Sequence, residues 1–259
     1  MCEDCGCGDP KLVSVEVHSS LLAANDHEAA HLRAHFLGDG VTAINLMGSP
    51  GSGKTALLEA TARAWAGKFK LAAVSGDLAT AHDAERLERA GIPSAAITTG
   101  TACHLDASMV DRAVHGTAIG EAVHAADFFF IENVGNLVCP AIYDLGQAAN
   151  VVALSVTEGV DKPLKYPVMF KAADLVVLTK VDLLPHLRGV SIAAIEDALA
   201  RVMPKPVMIQ VASTEDQGLD AWLAWLSARR DVVRAAPRLG AHEHVHVRGH
   251  AHPHPHPHR

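Results

Sequence analysis

A chain of 259 residues that is 49% hydrophobic can bury one substantial α/β core with short extensions. A formal net charge of −7 with no basic run gives no reason to expect a nucleic-acid-binding surface, and the longest apolar runs, such as Phe128-Phe129-Phe130-Ile131, are far too short to span a membrane. With no apolar leader after Met1-Cys2-Glu3-Asp4, a cytoplasmic protein is expected, and in that reducing compartment the five cysteines read as metal ligands or buried thiols rather than disulfides.

Residues 1–10 form the first segment. Cys2, Cys5 and Cys7 fall within six residues whose glycines, and a proline just beyond, keep the stretch from packing as a helix or strand. The C-x-x-C-x-C spacing lets a short loop wrap one soft or borderline ion, Zn²⁺, Ni²⁺ or Cu⁺, with the terminal amine, a backbone nitrogen or water as a further donor. Backbone-nitrogen ligation would give a square-planar site, which suits Ni²⁺. The competing reading is an incidentally cysteine-rich terminus. In the leading segment 11–38, Leu21, Leu22, His31, Leu32 and Phe36 stand at roughly helical intervals and predict a helix over 13–36, closed by Gly38 and Gly40. His18 lies on it, and His27/His31 and His31/His35 stand four apart, a spacing that can clamp a metal but is more commonly a solvated face.

The nucleotide domain is assigned to 39–235. The apolar run 41–47 predicts a buried strand, Gly48-Ser49-Pro50-Gly51-Ser52-Gly53-Lys54-Thr55 a phosphate loop, and 56–60 the start of a helix. Its glycines turn inward-facing N–H groups onto an anion, Lys54 reaches the β- and γ-phosphates, and the Thr55 hydroxyl helps hold Mg²⁺. A second strand, 70–74, leads to Asp77, which would emerge beside the γ-phosphate and bind the ion through water or orient the attacking water; Lys54 and Asp77 are the candidate catalytic residues. The alternative for Asp77 is a cap for the helix over 81–90.

A short strand over 95–98 precedes Cys103 and His104, which are expected to open a further helix. Two adjacent ligands leave a metal half coordinated, so they would serve best when doubled across a two-fold axis; the bland alternative is a buried thiol beside a surface imidazole. The strand 126–131 ends in Glu132-Asn133-Val134-Gly135-Asn136, where Glu132 would hold the water shell of Mg²⁺ and Gly135 would let its backbone approach the γ-phosphate. Cys139 follows on the same loop and, like Cys103 and His104, sits past a strand end. Strands are predicted at 150–156 and 174–178, the second running into Thr179-Lys180-Val181-Asp182. Here the Asp182 carboxylate can accept paired N–H bonds from guanine while the Lys180 stem covers the ring, which favours GTP over ATP. A helix over 192–203, a strand over 206–211, a second base-contacting loop at Ala212-Ser213-Thr214 and a closing helix over 219–226 complete the domain, with Trp222 and Trp225 read as core.

The last segment, 236–259, alternates His with Val and then Pro, and eight of the 17 histidines lie at or beyond His242. Such a chain is expected to be disordered and to chelate Ni²⁺, Zn²⁺ or Cu²⁺ weakly, as a store; a purification tag is the competing reading, although tags are usually contiguous histidine runs.

In this order the motifs resemble the HypB family of GTPases, which deliver nickel during maturation of NiFe-hydrogenases. The resemblance covers nearly all of 1–227 and rests on Cys2/Cys5/Cys7, the loop Gly48 to Thr55, Gly76-Asp77 with Thr80, Thr99-Gly100 with Cys103-His104-Leu105-Asp106, Glu132 to Asn136 with Cys139, Glu158-Gly159 with Lys162-Pro163, and Lys180 with Asp182. It implies a SIMIBI-type α/β P-loop GTPase with a mostly parallel central sheet flanked by helices, and metal-binding termini. It further implies slow Mg²⁺-dependent hydrolysis of GTP to GDP, a GTP-dependent homodimer, and a tight Ni²⁺ site at Cys2, Cys5 and Cys7. A weaker Ni²⁺ or Zn²⁺ site would use Cys103 and His104, with Cys139 nearby. The partners implied are a HypA-type metallochaperone and the hydrogenase large subunit, with no nucleic acid and no membrane. Two departures stand out: Thr179 occupies a position where the family usually has Asn, which is expected to loosen the tie between base loop and P-loop, and the histidine run is C-terminal. The rival readings are a urease-maturation GTPase, which typically carries Cys-Pro-His where Cys103 and His104 are adjacent, and a nickel-storage protein with a merely structural P-loop.

Overall fold

The computed structural model describes residues 15–77, 80–100 and 102–236, so the motif Cys2/Cys5/Cys7 and the histidine run from His242 lie outside the described residues. The chain enters through helix α1 (Val15–Asp39), on which Ala29, Leu32 and Phe36 recur at helical spacing and are buried. β1 (Thr42–Met47) follows with every residue buried, as expected of a strand covered on both faces. The phosphate loop then leads into α2 (Lys54–Trp65), β2 (Leu71–Asp77), α3 (His82–Arg89) and β3 (Ser94–Thr98). α4 (Ala107–Gly116), the short α5 (Gly120–His124), β4 (Phe128–Glu132), β5 (Ala149–Ser155), α6 (Lys162–Lys165) and α7 (Pro167–Lys171) come next. β6 (Leu175–Thr179), α8 (Ile192–Val202), β7 (Met208–Val211) and α9 (Leu219–Ala235) complete the described chain.

The seven strands form one sheet in the order β3-β2-β4-β1-β5-β6-β7, with every pairing parallel. Side chains of a strand alternate between faces, and β4 shows what this does to the core. Phe128 and Phe130 pack with Leu57, Trp65 and Trp222 beneath α2 and α9, while Phe129 and Ile131 pack with Leu32, Phe36 and Val110 beneath α1 and α4. Burying a side chain of this size stabilises the fold by roughly 1.5–3 kcal/mol. A third cluster under β5 and β6 includes Val152, Val176, Phe170, Ile195 and Leu199. From β1 the chain moves outward to β2 on one side, whereas β5 lies on the other, so the crevice past the carboxyl ends of β1 and β4 is where an open parallel sheet takes a ligand.

Some boundaries differ from expectation. Cys103 and His104 do not open α4; they occupy a bend before it, because the Asp106 carboxylate accepts from the Met109 N–H at 2.7 Å and caps the helix there. Asp77 ends β2 instead of capping α3, whose cap is Ala81. α9 runs on to Ala235, with Trp222 fully buried and its indole donating to Thr61 at 2.8 Å, whereas Trp225 is only half-buried, stacked beneath Arg229.

Candidate functional site

The phosphate loop holds its shape through glycines at positive φ, Gly48 at 147°, Gly51 at 71° and Gly53 at 94°. At Gly48 a Cβ would collide with the Ala153 carbonyl and lie 2.7 Å from Ser52 Oγ, so no other residue fits the turn. Lys54 points back along the loop, its ammonium donating to the carbonyls of Gly48 and Ser49 at 3.3 Å each. Burial lowers its pKa, and nearby Glu132 opposes that shift. Ser49 donates to Glu158, whose other oxygen accepts the Ser155 N–H at 2.9 Å. The Glu158-Gly159 motif therefore buttresses the loop from β5.

A cavity of about 420 Å³ opens over this loop, lined by Gly51, Gly53, Lys54, Thr55, Asp77, Glu132, Gly135 and Lys180 among others. Thr55 donates its hydroxyl to Glu132 Oε1 at 2.7 Å, while Glu132 Oε2 is buried with no hydrogen-bond partner. Desolvation pushes the pKa of Glu132 up to about 7, although Lys54 and the Thr55 hydroxyl pull it down. An orphaned carboxylate oxygen beside a P-loop threonine is a donor set that fits hydrated Mg²⁺. Asp77 is on the same cavity wall, its carboxylate accepting from the Thr80 hydroxyl at 2.7 Å. Gly135 meets the phosphate loop directly, since a Cβ there would lie 2.7 Å from Pro50 Cγ.

The base loop is tied to the phosphate loop more tightly than the sequence suggested. Thr179 donates to the Ser52 carbonyl at 2.6 Å, so the short hydroxyl keeps the tie that was expected to loosen. Lys180 has a left-handed backbone, φ 58, a conformation that costs on the order of 1 kcal/mol or more for a residue with a side chain. Its ammonium donates to the Gly51 carbonyl at 2.7 Å, which lays the stem across the loop. Asp182 follows in a 3-10 turn, Val181–His186, and is half-buried.

Cys103, His104 and Cys139 come together although 36 residues separate the thiols: Cys103 Sγ lies 3.1 Å from Cys139 Sγ and 3.9 Å from His104 Nδ1. Neither cysteine is in a disulfide, and both are half-buried. The His104 ring is stacked on Tyr143 with centroids 3.9 Å apart, and burial lowers its pKa, which favours the neutral, ligand-competent imidazole. Two sulfurs and one nitrogen offer a trigonal set for a borderline cation, leaving a fourth position open.

Nothing in the sequence marks what joins the two sites. Asn136 is paired through its backbone with Gly48 of the phosphate loop, and its side-chain amide donates to the Cys103 carbonyl at 3.1 Å. Asn133, directly after Glu132, accepts the Leu105 N–H at 3.2 Å. Leu105 in turn packs so closely on Gly76 that a Cβ there would approach it to 2.9 Å. Asp83 and Arg86 of α3 also line the cavity, Arg86 being held by Glu59 at 2.8 Å; one turn of an amphipathic helix carried no mark of that position.

Residues 42–210 match the family model described as the CobW/HypB/UreG nucleotide-binding domain. The hydrogenase maturation factor HypB of Rhizobium leguminosarum bv. viciae is 47% identical over 223 residues, covering 85% of this chain and 73% of its own length. A crystal structure of HypB from Helicobacter pylori in complex with nickel superposes with a TM-score of 0.76 at 40% identity, over 81% of this chain and 96% of that one. The hydrogenase maturation factor HypB of Archaeoglobus fulgidus gives 0.73 at 36% identity, over 81% and 100%.

Proposed function

The chain belongs to the HypB hydrogenase maturation factors of the CobW/HypB/UreG family, and on that premise we propose that it is a GTP-hydrolysing metallochaperone that hands nickel to a NiFe-hydrogenase large subunit. The observation that carries this reading is Asn136, whose backbone is paired with the phosphate loop and whose amide holds the Cys103 carbonyl. A nucleotide that reshapes Gly48 therefore has a mechanical path to the thiols. Lys54 and the loop amides bind the β- and γ-phosphates, Lys180 and Asp182 select guanine, and Asp77 orients the attacking water. Thr55 would hold Mg²⁺ directly, with Glu132 and Asp77 on its water shell, and the ion would supply positive charge against that developing on the phosphates. The cargo is Ni²⁺, held tightly at Cys2, Cys5 and Cys7 and exchangeably at Cys103, His104 and Cys139, a set that also accepts Zn²⁺.

The open coordination position supports a homodimer formed with GTP bound. Val138 and Ile142, about half exposed, flank Cys139 and give that face an apolar rim. A HypA-type metallochaperone and the large subunit are the partners on either side of the transfer. No helix among the described residues is long and apolar enough to cross a membrane.

The test is GTP turnover by the purified chain together with Ni²⁺ titration of a form carrying Cys2, Cys5 and Cys7→Ala, with GDP or a non-hydrolysable GTP analogue bound. Turnover should fall at least about 100-fold in Lys54→Ala, consistent with the cost of losing a group that stabilises transition-state charge. Nickel affinity at Cys103 should differ between the two nucleotide states. Equal affinities would overturn the delivery reading, and turnover that survives Lys54→Ala would overturn the catalytic one.

A further inference from the structure

On the flank of the sheet where α1 packs against α4, a second cluster of donors contains no sulfur. His35 of α1, His115 at the last turn of α4 and His124 at the end of α5 bring three rings together, with centroids 4.9 Å (His35–His115), 5.7 Å (His35–His124) and 5.8 Å (His115–His124) apart. One nitrogen of each ring lies within 4.8 Å of the other two. We propose that His35, His115 and His124 form a binding site for a divalent Ni²⁺- or Zn²⁺-class cation, separate from the cysteine sites and bridging three helices.

The carboxylates around the cluster argue for a ligand role. His115 Nδ1 lies 2.9 Å from Asp111 Oδ1, and His124 Nδ1 lies 2.6 Å from Asp39 Oδ2. A carboxylate only accepts, so each Nδ1–H is the donor and Nε2 is the nitrogen of each ring left to ligate a cation. This orients the rings as carboxylates orient the imidazoles of metal sites. The third ring, His35, is half-buried, and its nitrogen completes the set. Metal–nitrogen bonds of about 2.1 Å draw three nitrogens to roughly 3.4 Å from one another, which partly exposed rings at helix ends can reach by small rotations. Three imidazoles exclude Mg²⁺ and Ca²⁺, which take oxygen, and leave a fourth position for water or for His31, whose ring is 5.2 Å from that of His35. The bend with Cys103 and His104 precedes the first turn of α4, whereas His115 is on its last, so the two donor sets stand about 15 Å apart along one helix. A cation here would staple α1 to α4 and α5 and give the chain a thiol-free holding place for cargo.

The experiment uses the full-length chain with all five cysteines changed to Ser and the histidines from His242 onward changed to Ala, titrated with Zn²⁺ and with Ni²⁺ against a chromophoric chelator. One equivalent should bind, with only nitrogen and oxygen scatterers in X-ray absorption, and its affinity should fall at least tenfold in His35→Ala and again in His124→Ala. In the unmodified chain, either metal should protect His35, His115 and His124 several-fold from carbethoxylation, read residue by residue by mass spectrometry, relative to His82 and His186. No bound equivalent in the background form, affinity indifferent to these two substitutions, or equal labelling with and without metal would each overturn the site. None of these readouts depends on nucleotide turnover, so a failure here leaves the proposed GTPase cycle untouched.

Discussion

Glu132 is sealed beneath the phosphate loop, where one oxygen takes the Thr55 hydroxyl and the other has no partner. Its pKa is pushed from an ordinary 4.5 to about 7, so between those values the folded chain holds a proton that the unfolded chain has released. Without ligands, the contribution of Glu132 to stability is therefore fully present below about pH 4.5 and is lost as pH rises through 7. The size of the effect is on the order of 3 kcal/mol. Denaturant melts of the nucleotide-free chain between pH 5 and 8 should show this decline, and Glu132→Gln should flatten it while weakening Mg²⁺-dependent nucleotide binding. A slope that persists in the variant would place the titration elsewhere. At this scale the sequence was legible wherever chemistry is local: the residues of the phosphate loop are contiguous, and Pro50, Gly51, Gly53, Lys54 and Thr55 line one cavity with Asp77 and Glu132. Cys139 was harder, because its distance from Cys103 is a property of the sheet order.

Helix α1 is held on the domain by polar groups as much as by its apolar stripe. Asn25, buried, accepts the Ala107 N–H at 2.9 Å and donates to the Asp144 carbonyl at 2.9 Å, so it caps α4 from another helix. Arg33 grips the Asp144 carboxylate at 2.6 and 2.7 Å, but both side chains are a third or more exposed. Asn25→Ala would strand a buried donor and a buried acceptor, costing about 1–3 kcal/mol. Arg33→Ala removes a screened pair, costing about 0–1 kcal/mol. In thermal melts, at about 2–4 °C per kcal/mol for a domain of this size, Asn25→Ala should therefore be the more damaging substitution. The reverse order would mean that the ion pair does the docking. The central strands were legible because a doubly covered parallel strand reads as an unbroken apolar run, and α1 because Leu32 and Phe36 stand four apart ahead of Gly38 and Gly40, although Leu21 and His31, read on the same pattern, are exposed. α5, α6 and α7 were not, since helices of four or five residues are too short to show a period.

Across the whole molecule, coupling between nucleotide and metal must be reciprocal: whatever factor the bound nucleotide applies to nickel affinity, nickel applies to the nucleotide. Two threads are available to carry it. One runs from Gly48 through Asn136 to the Cys103 carbonyl, the other from Glu132 through Asn133 to the Leu105 amide. Asn136→Ala cuts the metal end of the first, together with the bond that the same side chain accepts from the Val138 N–H at 2.9 Å, while the pairing with Gly48 is made by backbone and survives. The ratio of nickel affinities with GTP analogue and with GDP, measured at the Cys103 site after Cys2, Cys5 and Cys7→Ala, should therefore fall several-fold toward one in Asn136→Ala. The ratio of the two nucleotide affinities with and without nickel should fall by the same factor, as linkage demands. Calorimetric titration of both ligands in both orders measures the two ratios independently. A variant that keeps the full ratio would leave the Asn133 thread as the carrier, and two ratios that disagree would show that one of the titrations had not reached equilibrium.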